Sequence, residues 1–147
     1  MVERGPRTEI TNLTALATGS TDWRTRLQAL WTLDGLDAIQ PATVTTALQD
    51  ANRDVRVSAI RLAERWLGEN GHPIQAAVLK RLDDRDWAVH QQLAASVGAL
   101  PAGTRETAAV DVLERYGDDP VVMDAVMSGI RGSESMVLER LLARSHH

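Results

Sequence analysis

Apolar positions along the chain recur at helical spacing, in short stretches separated by turn residues. In the clearest stretch, 54–67, Val55, Ala59, Leu62 and Trp66 form one stripe, with Ile60, Ala63 and Leu67 beside it. Gly68-Glu69-Asn70-Gly71 ends that stretch. Pro73 stands near the start of a second helix over about 73–82, where its missing N–H costs nothing and Ile74, Val78, Leu79 and Leu82 face inward. The same pattern predicts pairs over roughly 23–36 with 41–49, 87–99 with 104–116, and 120–131 with 134–143, after a lone helix near 8–17. No segment sustains the alternation of a half-buried strand, so the expected fold class is all-α.

The pairs repeat. A shift of 34 residues carries Val44 onto Val78 and then Val112, Leu48 onto Leu82 and Tyr116, and Asp50 onto Asp84 and Asp118. Upstream the shift is 30, pairing Arg26 with Arg56, Ala29 with Ala59 and Leu30 with Ile60. One short pair cannot bury its own apolar face, so such units are expected to stack as an α-solenoid of about four antiparallel helix pairs. The expected organisation is a single repeat domain over 1–143, with units at about 1–20 (partial), 21–50, 51–83, 84–117 and 118–143. Arg144-Ser145-His146-His147 reads as a purification-tag remnant and is set aside from fold reasoning. Met1 to Pro6 reads as the last turn of a helix broken by Gly5-Pro6, which suggests a piece of a longer protein.

Asp50, followed by Asp54-Val55-Arg56 and Ala59 at a helix start, and then by a second helix rich in Ala, Val and Leu, resembles HEAT repeats of the short HEAT-like type. The resemblance covers about residues 9–143. It implies architecture and says nothing of chemistry, because such arrays host many functions. Narrower stretches, Arg26 to Leu36 and Asp119 to Glu134, resemble the HEAT segment of the large membrane-bound dehydrogenase-type proteins of planctomycetes and related bacteria, which join a β-propeller, HEAT repeats and a haem-binding part. That likeness implies a bacterial protein of the cell envelope or periplasm. It carries no redox role onto any residue here, since no Cys-x-x-Cys-His haem attachment exists.

Composition narrows the chemistry. The 147 residues contain no Cys, which excludes disulfides, Cys-ligated zinc, iron–sulfur clusters and cysteine nucleophiles. A net charge of −4 argues against a nucleic-acid partner, and no apolar run approaches the roughly 20 residues of a membrane span. No signal peptide is read at the start of the chain. The acidic group Asp83, Asp84, Asp86, Asp118 and Asp119 lacks the spacing and turn glycine of a calcium loop and reads as helix caps. His72 has no partner at ligand spacing, so neither metal nor cofactor is expected.

Three sets of residues could carry function. Arg26, Arg56 and His90 share one repeat position, preceded by Asp22, Asp54 and Asp86. They read as a structural ladder, each cation bonding a carboxylate or a helix-end carbonyl; the catalytic alternative makes His90 a general base beside Asp86. Trp23, Arg53 and Trp87 share another position near the helix starts, either folded back to seal the groove between units or exposed as a binding edge. Trp31 has the exposed Arg61 as its counterpart, whereas Trp66, Leu36 and Leu100 share a core position. On the second helices, Thr46, Lys80 and Glu114 form one row, Ala47, Arg81 and Arg115 the next, with Thr43, Ala77 and Asp111 flanking. Ser96, Gly98, Ser128 and Gly129 read as small packing residues.

The expected function is a protein–protein interaction or scaffolding module whose partner is a protein or peptide, contacting Trp23, Arg53, Trp87, Lys80, Arg81, Glu114 and Arg115. Self-association through exposed end repeats is a further expectation. The alternative is a small hydrolase using His90 and carboxylate acid–base chemistry. DNA-base chemistry, as in a HEAT-like alkylpurine glycosylase family, is disfavoured by the missing basic stripe.

Overall fold

The structure, a computed structural model, describes residues 5–145. Among these residues there are nine α-helices and no strand: α1 (Gly5–Gly19), α2 (Trp23–Gly35), α3 (Pro41–Ala47), α4 (Arg53–Leu67), α5 (Ile74–Leu79), α6 (Trp87–Ser96), α7 (Thr104–Tyr116), α8 (Pro120–Gly129) and α9 (Glu134–Ser145). The all-α expectation holds. None of these helices is long and apolar enough to cross a membrane.

Two of the predicted helices end in a tighter turn. The second helix of the best pair is α-helical only to Leu79 and continues as a 3-10 turn over Lys80–Asp83; α6 likewise gives way to a 3-10 turn over Val97–Ala99. Such tightening is common at helix ends, where the last carbonyls lack partners one turn on. Gly5 and Pro6 lie inside the start of α1, so this Gly-Pro pair opens a helix; residues 1–4 lie outside the described residues, as do His146 and His147. Arg144 belongs to α9 and pairs with Asp111 and Glu114, so it takes part in the fold from which the sequence reading set it aside.

The helix starts explain themselves locally. Asp22, Asn52, Asp86 and Asp119 are the caps of α2, α4, α6 and α8: their side chains accept from Arg24 N–H (3.1 Å), Asp54 N–H (2.8 Å), Ala88 N–H (2.9 Å) and Val121 N–H (2.9 Å). Each such cap is worth about 1 kcal/mol. Asn52 thus stands just before α4, whose first turn contains Asp54. Two residues before three of these caps, Ser20, Asp50 and Asp84 accept the cap residue's own N–H at 3.2, 2.8 and 3.0 Å. The aspartates of the acidic group thus include caps, as the sequence suggests.

The chain divides between Ala63 and Glu64, inside α4, into two compact units. In the first, α1 packs on α2 and α3. Leu30, Leu33, Val44, Val55 and Ile60 are fully buried there. In the second, α6 packs along α8, and α7 against α8 and α9, around Ile74, Val78, Leu93, Val122 and Ile130. Helices two apart in the chain therefore touch, as α1 and α3, α6 and α8, and α7 and α9. Burying each large aliphatic side chain contributes roughly 1.5–3 kcal/mol.

Burial departs from the predicted core at several places. Leu36 is 55% exposed although its counterpart Leu100 is buried. Trp66 is only half-buried and stacks on the His72 imidazole, and Leu79 and Leu82 are half-buried on the second helix. Thr43 and Ala47, placed by the repeat on polar surface rows, are buried; α3 has seven residues, and it turns Thr43, Val44 and Ala47 inward.

Candidate functional site

The repeat position shared by Arg26, Arg56 and His90 does one thing three times. Each side chain reaches back to the carbonyl six residues earlier. Arg26 Nη1 donates to Ser20 O at 2.8 Å, Arg56 Nη1 to Asp50 O at 2.8 Å, and His90 Nε2 to Asp84 O. Those carbonyls belong to the residues that receive the cap N–H groups, so each side chain ties the loop before a helix to the helix itself. Arg26 adds a two-point ion pair with Asp50.

His90 is buried, and its ring lies flat on Tyr116, centroids 3.6 Å apart at 14°. Tyr116 OH in turn donates to Leu82 O. A carbonyl can only accept, so Nε2 is the donor in this contact. Asp86, its candidate catalytic neighbour, uses one carboxylate oxygen to cap α6. Both side chains thus hold the loop before α6 to the helix start.

Trp23, Arg53 and Trp87 are the first residues of α2, α4 and α6. Trp23 is half-buried with the Arg24 guanidinium 4.8 Å from its ring centroid; Arg53 is exposed; Trp87 is 60% exposed and does not fold back. Trp31 and its repeat counterpart Arg61 are in contact, the guanidinium 5.8 Å from the ring centroid, and Trp31 Nε1 donates to Ser58 Oγ at 3.2 Å.

Of the second-helix rows, Thr46, Lys80, Glu114 and Arg115 are exposed, and Ala77, Arg81 and Asp111 half-buried. Within the second unit these charges largely pair with one another. Arg115 reaches Asp83 Oδ1 (2.5 Å) and Leu82 O, Arg81 reaches Asp84 Oδ2 (3.3 Å), and Arg144 reaches Asp111 Oδ1 (2.7 Å) and Glu114 Oε1 (3.2 Å). The hydrogen bond from Arg115 to Asp83 raises the guanidinium further above its ordinary range, as does that from Arg144 to Asp111. Exposed pairs of this kind stabilise little.

Three features escape the sequence reading. A cleft of about 500 Å³ in the first unit is lined by Thr18, Ser20, Arg26, Thr45, Thr46, Gln49, Asp50 and Ala51, with the Arg26–Asp50 pair satisfied in its wall. Buried Gln75 donates through Nε2 to Leu67 O (3.0 Å) and Glu69 O (2.6 Å), closing the carbonyl end of α4. Buried Glu106 accepts from Gly103 N–H (2.6 Å) and Arg105 Nε (2.9 Å). The Gly103 N–H is the main cause of a carboxyl pKa lowered to about 2; burial opposes it, and Arg105 and Ser133 assist. Its signal was legible: a glutamate three residues into a helix, where it can reach back to the cap N–H. Gly103 itself has φ +92°, open to glycine and strained for other residues.

Among the described residues, no three of His, Asp and Glu gather as a metal-ligand set. No protein-family model, curated protein or solved structure matches the chain.

Proposed function

We propose that the chain is a HEAT-like helical-repeat segment that serves as a protein–protein interaction or scaffolding module. The observation that carries this reading is the exposure of large apolar side chains in the second unit, Trp87 (60%), Val121 (53%) and Leu142 (61%), on helices whose other faces are packed. Exposed Trp is a preferred interface anchor. The contact of helices two apart in the chain, and the recurring cap-and-ladder loop, support the repeat assignment. Leu16 and Leu36, both exposed and bordering a cleft of about 410 Å³ in the first unit, support self-association as a second use of the surface.

Affinity capture with the whole chain as bait tests the reading, with Trp87→Ala and Arg115→Glu run beside it. A defined partner held by the unaltered chain and released by either variant supports it. Capture indistinguishable from bare matrix, together with turnover on an ester, glycoside and phosphoester panel that His90→Gln abolishes, overturns it in favour of a hydrolase.

A further inference from the structure

The four tryptophans provide an internal comparison. Trp23 has the guanidinium of Arg24 at its ring, Trp31 has that of Arg61, and Trp66 stacks on the imidazole of His72. Trp87 has no such ring partner among the described residues, and at 60% it is far more exposed than Trp31 at 37%. Ala88 follows Trp87 where Arg24 follows Trp23. Arg85, in the preceding loop, is exposed and does not lie over the indole.

Beside the exposed Arg85, the surroundings of Trp87 include apolar and acidic side chains. Gln91 stands one turn further on the same face of α6 and donates through Nε2 to Asp119 Oδ2 at 3.0 Å. Asp119 caps α8 two residues before the exposed Val121. Trp87 and Val121 therefore border the same junction between the starts of two packed helices. Asp118, in the turn before α8, and Asp124, midway along it, are exposed, and no Lys or Arg occurs between residues 117 and 130. The nearby cations Arg81 and Arg115 are engaged by Asp84 and Asp83.

We propose that the Trp87–Val121 edge docks an arginine-bearing segment of a partner protein, its guanidinium lying on the open indole face and an aliphatic neighbour on Val121. This rests on the interaction-module reading and names the chemistry of the partner. Arginine suits the site because its planar, weakly hydrated cation stacks on aromatic rings, and because Asp118 and Asp124 supply the opposite charge. The edge is open rather than enclosed, which favours a macromolecular partner over a small cation.

The test uses the whole chain and a fluorescein-labelled ten-residue peptide of alternating Arg and Leu, with a second peptide carrying neutral citrulline for Arg. Fluorescence anisotropy should show the Arg peptide bound and the citrulline peptide at least about tenfold weaker. Trp87→Leu, which keeps apolar surface and removes the ring, should weaken the Arg peptide about three- to tenfold, and Trp87→Phe less. Asp118→Asn combined with Asp124→Asn should weaken it and flatten its salt dependence. Melting curves of these surface variants should match the unaltered chain. Equal binding of both peptides, or unchanged binding by Trp87→Leu, overturns the proposal. If affinity capture retains a partner that Trp87→Leu does not release, the module reading stands and this edge is not its site. Absence of both capture and peptide binding overturns both.

Discussion

Arg26 and Asp50, 24 residues apart, are joined by two parallel hydrogen bonds, Nε to Oδ2 at 2.7 Å and Nη2 to Oδ1 at 2.8 Å. The pair is mostly buried, with side-chain exposures of 15% and 9%. Hydrogen bonding to Asp50 raises the Arg26 pKa against the opposing effect of burial. For Asp50, burial alone would push the carboxyl upward; hydrogen bonds from Arg26 and the Asn52 N–H, with the charges of Arg26 and Arg56, outweigh it and hold the group below its ordinary range. Arg26→Ala removes the fork and leaves a partly buried carboxylate, so it should destabilise the fold by about 1–3 kcal/mol. Arg26→Lys should fall between, since an ammonium cannot form the two-point contact and still reach Ser20 O. Urea midpoints at unchanged slope measure both.

His90 replaces the arginine of the repeat. An arginine there can lie flat on Tyr116 and donate to Asp84 O, as Arg26 and Arg56 donate at their own loops. His90→Arg should therefore hold or raise the melting temperature. A clear drop would mean that the imidazole's shape, beyond its donor, is required beneath Tyr116.

Gly98 and Gly129 meet backbone to backbone. A Cβ on Gly98 would lie 2.8 Å from Gly129 Cα and 3.1 Å from its carbonyl oxygen, and one on Gly129 would lie 3.0 Å from Gly98 Cα. Neither obstacle is a movable side chain, so Gly98→Ala should cost about 1–3 kcal/mol despite alanine's better helix propensity. Gly19→Ala, with open space around its Cβ, is the control and should be close to neutral. Thermal melts of the two variants check the contrast.

Glu106 predicts an acid dependence. Its pKa falls from 4.5 to about 2 on folding, so its stabilisation is complete above about pH 4.5 and is lost as pH falls through about 2. Glu106→Gln should be less stable at neutral pH, and the gap between the two proteins should shrink between about pH 4.5 and 2. Melting temperatures across that range measure it; a constant gap would show that the carboxylate's charge contributes nothing.

Much of the fold was legible because the relations that build it are local. A cap accepts from an N–H two residues on, and a ladder side chain reaches a carbonyl six residues back, so both recur wherever the same residues recur. Asn52, a cap outside the acidic group, is marked by its place 30 residues after Asp22 and 34 before Asp86.

What sits across from a residue is not a local matter. Leu36 and Leu100 hold the same repeat position, yet one is exposed and the other buried. The contact of Gly98 with Gly129 and the inward turn of Thr43 and Ala47 depend on how closely neighbouring helices approach. Helix identity, order and capping follow from interactions within a turn or two of the chain, which the sequence alone determines. Which equivalent positions become core, close contact or open surface depends on the helix packed opposite, and only the tertiary structure decided that.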